Sequence, residues 1–162
     1  MKQTGFYKLS SKYISLVKDL GGAYKDDKER PVYCCIQDKD CPDIYWAIPT
    51  SSISNRPTAQ LDRIKRLCNL PDRDIRSSYY HIGHTNRPAI FKISNALPIT
   101  EEYIEGEYTS QGNHLILRDK RLIAEIERKL FRILFDERRH PNKYEQHISS
   151  IYEFLTKEQQ KN

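Results

Sequence analysis

The hydrophobic pattern changes period along this chain. From residue 6 to residue 107, short apolar runs alternate with polar turns rich in Asp, Pro and Gly. We predict strands at 6–9, 32–37, 44–49, 79–83 and 89–94. The segment between the second and third of these is rich in Asp and Pro, which predicts a hairpin. Residues 95–100 fit a turn or the entry to a strand, 102–108 fit a strand or a helical turn, and 110–114 is predicted to be a loop.

Helical periods appear at three places. Ser10 or Ser11 is a suitable N-cap for a short helix that Gly21 and Gly22 would end. Leu61, Ile64, Leu67 and Cys68 predict a second helix from about Pro57. The last third carries the longest pattern, with an apolar stripe over 118–140 and a shorter repeat from Tyr144 to Leu155. Charged residues fill the opposite faces, so we predict two amphipathic helices there.

These elements do not alternate as strand–helix–strand units, and the sequence has no internal repeat. We therefore predict an α+β fold with a compact, strongly twisted, antiparallel β-barrel-like core of five or six strands. Helices surround this core, and the C-terminal third is helical. The length of 162 residues predicts one domain spanning 1–162.

Composition adds a preference for a polyanionic partner. Lys and Arg outnumber Asp and Glu by 27 to 22, and the chain contains 11 tyrosines. Cations interleaved with aromatic rings suit RNA, although tyrosines also fill sheets and cores. The N-terminus lacks the apolar segment of a signal peptide, and no apolar run is long enough to span a membrane. Together with cysteines that fit reduced core thiols, this predicts a cytoplasmic protein.

Three hydroxyl side chains, Thr50, Ser51 and Ser52, follow the predicted strand 44–49. Such residues often make only local turn or capping bonds. Hydroxyls at a strand end before a helix also suit phosphate binding. Tyr24 and Lys28 lie in a charged segment that is either a solvated loop or a loop carrying functional groups over a site.

His81 and His84 are three residues apart. On a strand this spacing points the two rings to opposite faces, and further metal ligands are not evident, so we predict no metal site and no cofactor. A surface position is one interpretation of each histidine. General acid or base chemistry is the other, because an unperturbed histidine has a pKa of about 6.5. The sequence contains no G-x-S-x-G motif, which argues against a hydrolase nucleophile elbow.

Four segments resemble the ToxN/AbiQ-like toxins of bacterial type III toxin–antitoxin systems. They are "GFYKLSSKYI" near the N-terminus, Tyr24 and Lys28 in a Tyr-x-x-x-Lys spacing, the Thr50–Ser51 pair after "YWAIP", and "KISNALPIT". Their order and separations are similar to the family's from about residue 5 to residue 100. "YYHIGHTNRP" looks more like the CptN or TenpN branches.

This resemblance implies a metal-independent endoribonuclease with a core similar to that of MazF/Kid toxins. It implies an antitoxin made of short RNA repeats, each folded as a pseudoknot, which the toxin processes and which inhibits it. It further implies cellular mRNA substrates and a cyclic protein–RNA assembly. By analogy, the catalytic candidates are Lys28, Thr50, Ser51, Tyr24 and His84. The RNA-binding candidates are Lys8, Lys12, Lys25, Arg30, Ser52, Arg56, His81 and Arg87.

One departure from the family pattern concerns a lysine that some members carry shortly after the Thr-Ser pair. Ser52, Ile53 and Ser54 stand there, and Arg56 is the nearest cation. Arg56, Lys28 or a histidine would then supply the charge. Three other functions remain open: a non-catalytic RNA-binding module, a DNA-binding regulator reading through helix 57–68, and a scaffold that oligomerises through its C-terminal helices. We favour neither DNA nor a membrane as a partner.

Overall fold

The computed structural model describes residues 1–24, 32–54 and 56–162. One antiparallel sheet contains β1 (Gly5–Leu9), β2 (Val32–Gln37), β3 (Tyr45–Ser52), β4 (Tyr80–His84), β5 (Pro88–Lys92), β6 (Leu97–Ile99) and β7 (Ile104–Glu107). A small hairpin of β8 (Thr109–Ser110) and β9 (Asn113–His114) follows it. The helices are α1 (Ser11–Asp19), α2 (Thr58–Cys68), α3 (Lys120–Arg139) and α4 (Ile148–Lys161).

The sheet order is β4-β5-β3-β2-β1-β7, with β6 also paired to β3. Every pairing in it is antiparallel, which confirms the predicted α+β class and the hairpin of β2 and β3. The helical C-terminal third is confirmed as well. The sheet is not closed into a barrel, because within the described ranges β4 and β7 are its outer strands and do not pair with each other.

The long strand β3 organises the sheet. One edge pairs with β2 from Tyr45 to Thr50. Its other edge pairs with β6 through residues 45–47 and with β5 through residues 50–52. A three-residue 3-10 turn, Ile93–Asn95, separates β5 from β6. The last residues of β3 therefore extend beyond the first residue of β2, and this arrangement places the hydroxyl side chains at the end of the sheet.

Side chains of the sheet contribute to two hydrophobic cores, one on each face. Phe6, Cys34, Trp46 and Phe91 pack with the apolar stripe of α3. On the opposite face, a second set packs with α1 and α4; it contains Tyr7, Tyr33, Cys35, Ala47 and Leu97. Neighbouring residues Cys34 and Cys35 lie in different cores, as the alternation of a strand requires. Both faces of the central strands are thus buried.

The helices begin and end where capping residues allow. The Ser10 hydroxyl accepts from the Tyr13 amide at the start of α1, and Gly21 follows that helix with a φ of 84°. Asp119 caps α3 by accepting from the Arg121 and Leu122 amides. None of the helices in the described part of the chain is long and apolar enough to cross a membrane.

Two local predictions were wrong. Helix α4 begins at Ile148 and not at Tyr144, because His147 adopts a φ of 57° and interrupts the helical backbone between these two residues. Tyr144 is nevertheless buried in the core beside α3. Residues 110–114 are part of the β8–β9 hairpin, in which Gln111 and Gly112 form a two-residue turn with φ values of 52° and 79°.

Candidate phosphate-binding site

A cavity of about 50 Å³ lies where β3 extends past β2. All three hydroxyl residues of the Thr50–Ser52 segment line it, together with Val32 at the start of β2 and Phe6 of β1. Thr85, Asn86 and Arg87, from the turn between β4 and β5, lie along another side. The cavity is thus bordered by hydroxyl, amide and guanidinium groups, the donors that hold phosphate oxygens.

The three hydroxyls do not share one face of the sheet. Thr50 pairs with Phe91 and Ser52 with Ala89, and both partners belong to the core beneath α3. Because strand side chains alternate, Ser51 lies on the opposite face. The Thr50 hydroxyl donates to the Val32 carbonyl at 2.8 Å, and the Ser52 hydroxyl shares a hydrogen bond with that of Ser54. Thr50 and Ser51 therefore approach the cavity from two sides of one strand end.

Ser51 is connected to a cation. The Arg56 guanidinium donates from Nη2 to the Ser51 hydroxyl oxygen at 2.5 Å. A guanidinium has no acceptor, so the serine oxygen accepts this bond and keeps its own hydrogen for another acceptor. The Arg56 Nε atom is buried, and no acceptor among the described residues bonds to it. Arg56 thus holds Ser51 in place and polarises its hydroxyl.

His84 lies beside the cavity-lining turn at the end of β4. It is exposed, and its Nδ1 atom is 2.9 Å from the Thr85 carbonyl oxygen. A carbonyl only accepts, so Nδ1 carries the proton in this contact and a neutral ring presents the Nε2 lone pair as a base. The turn carries Arg87 as well. The structure therefore brings His84 and Arg87 to the cavity region together.

His81 lies on the face that α3 covers. Burial, together with the smaller effects of the nearby Lys129 and Arg128, lowers the pKa of its ring to about 4, while Glu125 acts in the opposite direction. A ring with that pKa is uncharged at neutral pH. His81 is also not part of the cavity lining among the described residues. The two histidines of H-x-x-H are thus separated, as the strand geometry predicted.

The remaining predicted site residues fall in different places. Tyr24 shares a hydrogen bond of 2.7 Å with the Tyr33 hydroxyl, on the face covered by α1 and α4. Lys12 lies on α1, 3.8 Å from Glu102 and over the Tyr103 ring. Lys8 shares a sheet face with the cavity-lining Phe6. Lys25, Lys28 and Arg30 lie outside the described residues, so their assigned roles stay predictions.

Sequence reasoning missed three side chains with polar groups that line the cavity, namely Thr85, Asn86 and Tyr108. Asn86 Nδ2 donates to the Ser110 hydroxyl at 3.1 Å and so links two hairpin turns. The available signal was the polar "HTNRP" turn between two strands, although nothing in the sequence places that turn beside Thr50. Tyr108 carried no distinguishing signal among the 11 tyrosines.

The site offers anion-binding groups and no preformed ligand set for a cation. Among residues 1–24, 32–54 and 56–162, no three His, Cys, Asp or Glu side chains are grouped as metal ligands. The four cysteines are free, with Cys34 and Cys35 buried and Cys41 and Cys68 half-buried. The arrangement can hold a phosphate and supply hydroxyl donors and an imidazole to it.

Comparison with known proteins supports the fold assignment. A solved structure of AbiQ, a lactococcal anti-phage endoribonuclease of a type III toxin–antitoxin system, superposes with a TM-score of 0.65. The match covers 99% of this chain and 98% of that one, at 14% sequence identity. The resemblance to ToxN/AbiQ-like toxins is therefore confirmed for the fold, including the helical C-terminal third. No family model and no curated protein sequence matches the chain.

Proposed function

We propose that this chain is the endoribonuclease toxin of a type III toxin–antitoxin system. The observation that carries the proposal is the cavity at the end of β3, where Thr50, Ser51 and Arg87 meet. It occurs in a fold that matches an endoribonuclease of such a system over nearly the whole chain. The excess of cations over carboxylates suits an RNA partner.

The chemistry we assign is cleavage by the substrate's own 2′-OH. The hydroxyl attacks the adjacent phosphorus, the bond to the 5′-oxygen breaks, and a 2′,3′-cyclic phosphate and a 5′-OH result. This reaction requires alignment of the attack and donors to the non-bridging oxygens, on which negative charge increases. Ser51 donates its hydroxyl hydrogen to one such oxygen, and Arg87 offsets the negative charge on the phosphoryl group. Lys28 is assigned the same electrostatic role on the basis of the Tyr-x-x-x-Lys spacing.

Two protons must move, and His84 is our candidate carrier. Its Nε2 atom takes the proton of the 2′-OH or, once protonated, gives one to the leaving 5′-oxygen. His81 is a poor candidate for the acid, because burial keeps its ring neutral. Tyr24 is assigned to bind the 2′-OH or stack on a flanking base. No divalent cation takes part in this scheme.

The biological assignment follows the fold. The antitoxin would be an RNA of short repeats folded as pseudoknots, which the toxin cuts from a precursor and which then inhibit it in a cyclic protein–RNA assembly. Cellular mRNAs would be the toxic substrates, in the cytoplasm. The alternative, a non-catalytic RNA-binding module, uses the same cavity and leaves the RNA intact.

The test is incubation of the purified chain with its candidate repeat RNA and with total RNA in the presence of EDTA. We expect discrete fragments whose 3′ ends resist ligation until the cyclic phosphate is removed, and whose 5′ ends are hydroxyls. The Ser51→Ala variant should bind the repeat RNA but cut it poorly, whereas Ser15→Ala, at an exposed serine of α1, serves as the matched control. Intact RNA would favour the binding module, and cleavage abolished by EDTA would contradict the metal-free mechanism.

A further inference from the structure

A second concave surface lies at the other end of the sheet. A groove of about 550 Å³ runs between α3 and the turn that joins β2 to β3. Its apolar lining includes Ile36, Pro42, Trp46 and Leu134. The length of β2, roughly 17 Å for a strand of this size, separates the groove from the cavity beside Thr50. The groove is therefore a separate surface from the proposed phosphate site.

Two exposed aromatic rings border this groove. Phe131 and Phe135 are one turn apart on α3 and are 58% and 52% exposed. They are the large hydrophobic side chains that the described residues leave in solvent. Such residues beside an apolar groove are typical of a surface that binds another molecule.

An adjoining pocket of about 160 Å³ shares Trp46 and Leu134 with the groove. Its wall contains Trp46 and Tyr152, whose rings stack at a centroid distance of 5.6 Å. The buried carboxylate of Glu137 also lines it. Glu137 Oε2 accepts from the Asn142 amide and the Ser149 hydroxyl, whereas Oε1 has no hydrogen-bond partner among the described residues. A buried carboxylate oxygen of this kind favours a positively charged donor.

The charged residues around the groove and the pocket favour a ligand of positive charge. Carboxylates outnumber cations in their lining. The cations are Lys39 and Arg138, and the carboxylates are Asp38, Asp40, Glu127, Glu137 and Glu153. The excess of negative charge is local, because the whole chain carries a net charge of +5. It repels the phosphates of RNA and attracts cationic groups.

The rim already holds a cation against an aromatic ring. Lys39 Nζ lies 6.0 Å from the centre of the Phe131 ring, and Asp40 pairs with Arg138 at 3.6 Å. Phe135, one turn further along α3, presents a similar ring beside the same apolar wall. An arginine or lysine of a partner can bind over such a ring while its apolar neighbours fill the groove.

We infer that this groove is a docking site for a protein partner, specifically a segment that presents arginine or lysine between large apolar side chains. The apolar residues of the segment occupy the space between α3 and the β2–β3 turn. Its cation faces the carboxylates of the groove and the adjoining pocket. The site is independent of RNA cleavage, and it gives the chain one surface for RNA and another for protein.

The experiment uses the full chain and two labelled peptides that differ only in charge. One alternates arginine with leucine and tryptophan, and the other replaces each arginine with glutamate. We expect saturable binding of the cationic peptide in fluorescence anisotropy and little binding of the acidic one. Phe135→Ser and Glu127→Lys should each weaken the binding by roughly tenfold. Glu145→Lys, an exposed charge change outside the groove, is the matched control.

Each other result overturns the inference. Equal binding of the two peptides, or equal binding by the wild type and both groove variants, would show that the groove does not select a cationic segment. If Phe135→Ser instead weakened binding of a single-stranded oligouridine, the groove would belong to RNA. If sedimentation showed dimers that Phe135→Ser dissociates, the occupant would be a second copy of the chain. Phe135 is exposed and Glu127 is half-buried outside the hydrophobic core, so both variants keep the buried core.

Discussion

The bond between Arg56 and Ser51 gives the sharpest prediction. If Ser51 donates to a phosphoryl oxygen, Ser51→Ala should lower kcat for RNA cleavage by about 10²–10³-fold, the usual effect of losing one transition-state donor. Arg56→Met removes the guanidinium that bonds to the Ser51 oxygen. A hydrogen bond to a charged group contributes about 1.5–3 kcal/mol, so this variant should lose roughly 10–150-fold in rate.

The double variant separates positioning from independent contact with RNA. Because Arg56 acts through Ser51 in our account, adding Arg56→Met to Ser51→Ala should cost almost nothing more. The assay is single-turnover cleavage of one defined RNA by both single variants, the double variant and Arg63→Met, an exposed arginine on α2. Thermal unfolding checks that all variants fold. Additive losses within about 0.5 kcal/mol would refute the idea that Arg56 works through Ser51.

Three further predictions concern stability and binding. The pKa of His81 is about 4 in the folded protein, against about 6.5 in the unfolded chain. The stability that depends on a neutral His81 ring is therefore fully present above pH 6.5 and is lost as the pH falls toward 4. Between about pH 6.5 and pH 4, His81→Asn should reduce the change in the free energy of unfolding with pH by about 1–2 kcal/mol, allowing for solvent screening. Urea unfolding at several pH values measures this free energy, and the same pH dependence in wild type and variant would contradict the prediction. Phe91 is fully buried, so Phe91→Ala should lower the free energy of unfolding by about 3–5 kcal/mol; a loss below 1 kcal/mol would contradict its core position. Arg87→Ala should weaken RNA binding and reduce the slope of log K against log salt by roughly one, whereas an unchanged slope would remove Arg87 from the phosphate contacts.

The spacing of apolar residues and turn residues along the sequence predicted most of the fold. The hairpin of β2 and β3 followed from two apolar runs around a turn of Asp and Pro, and α3 followed from its long apolar stripe. The start of α4 could not be predicted in the same way. Tyr144 lies at a helical spacing from Ile148 and is buried like a helix residue, yet the positive φ of His147 separates the two. Burial alone thus produced an apolar pattern that resembled a longer helix.

The candidate site was partly predictable for a different reason. Thr50 to Ser52 are adjacent in sequence, so their clustering required no tertiary information. The approach of Arg87 and Asn86 depends on the pairing of β3 with β5, which brings residues almost 40 positions apart to one strand end. Closure of the sheet depends on long-range pairing too, and the local strand patterns cannot distinguish an open sheet from a barrel.

The most direct test of the phosphate site is a co-crystal structure of the Ser51→Ala chain with the repeat RNA that the wild type cuts. Our account predicts that the scissile phosphate lies at the end of β3, within hydrogen-bonding distance of Arg87 and beside residue 51. An RNA backbone that passes this cavity by, with its cleaved linkage held by other residues, would contradict it.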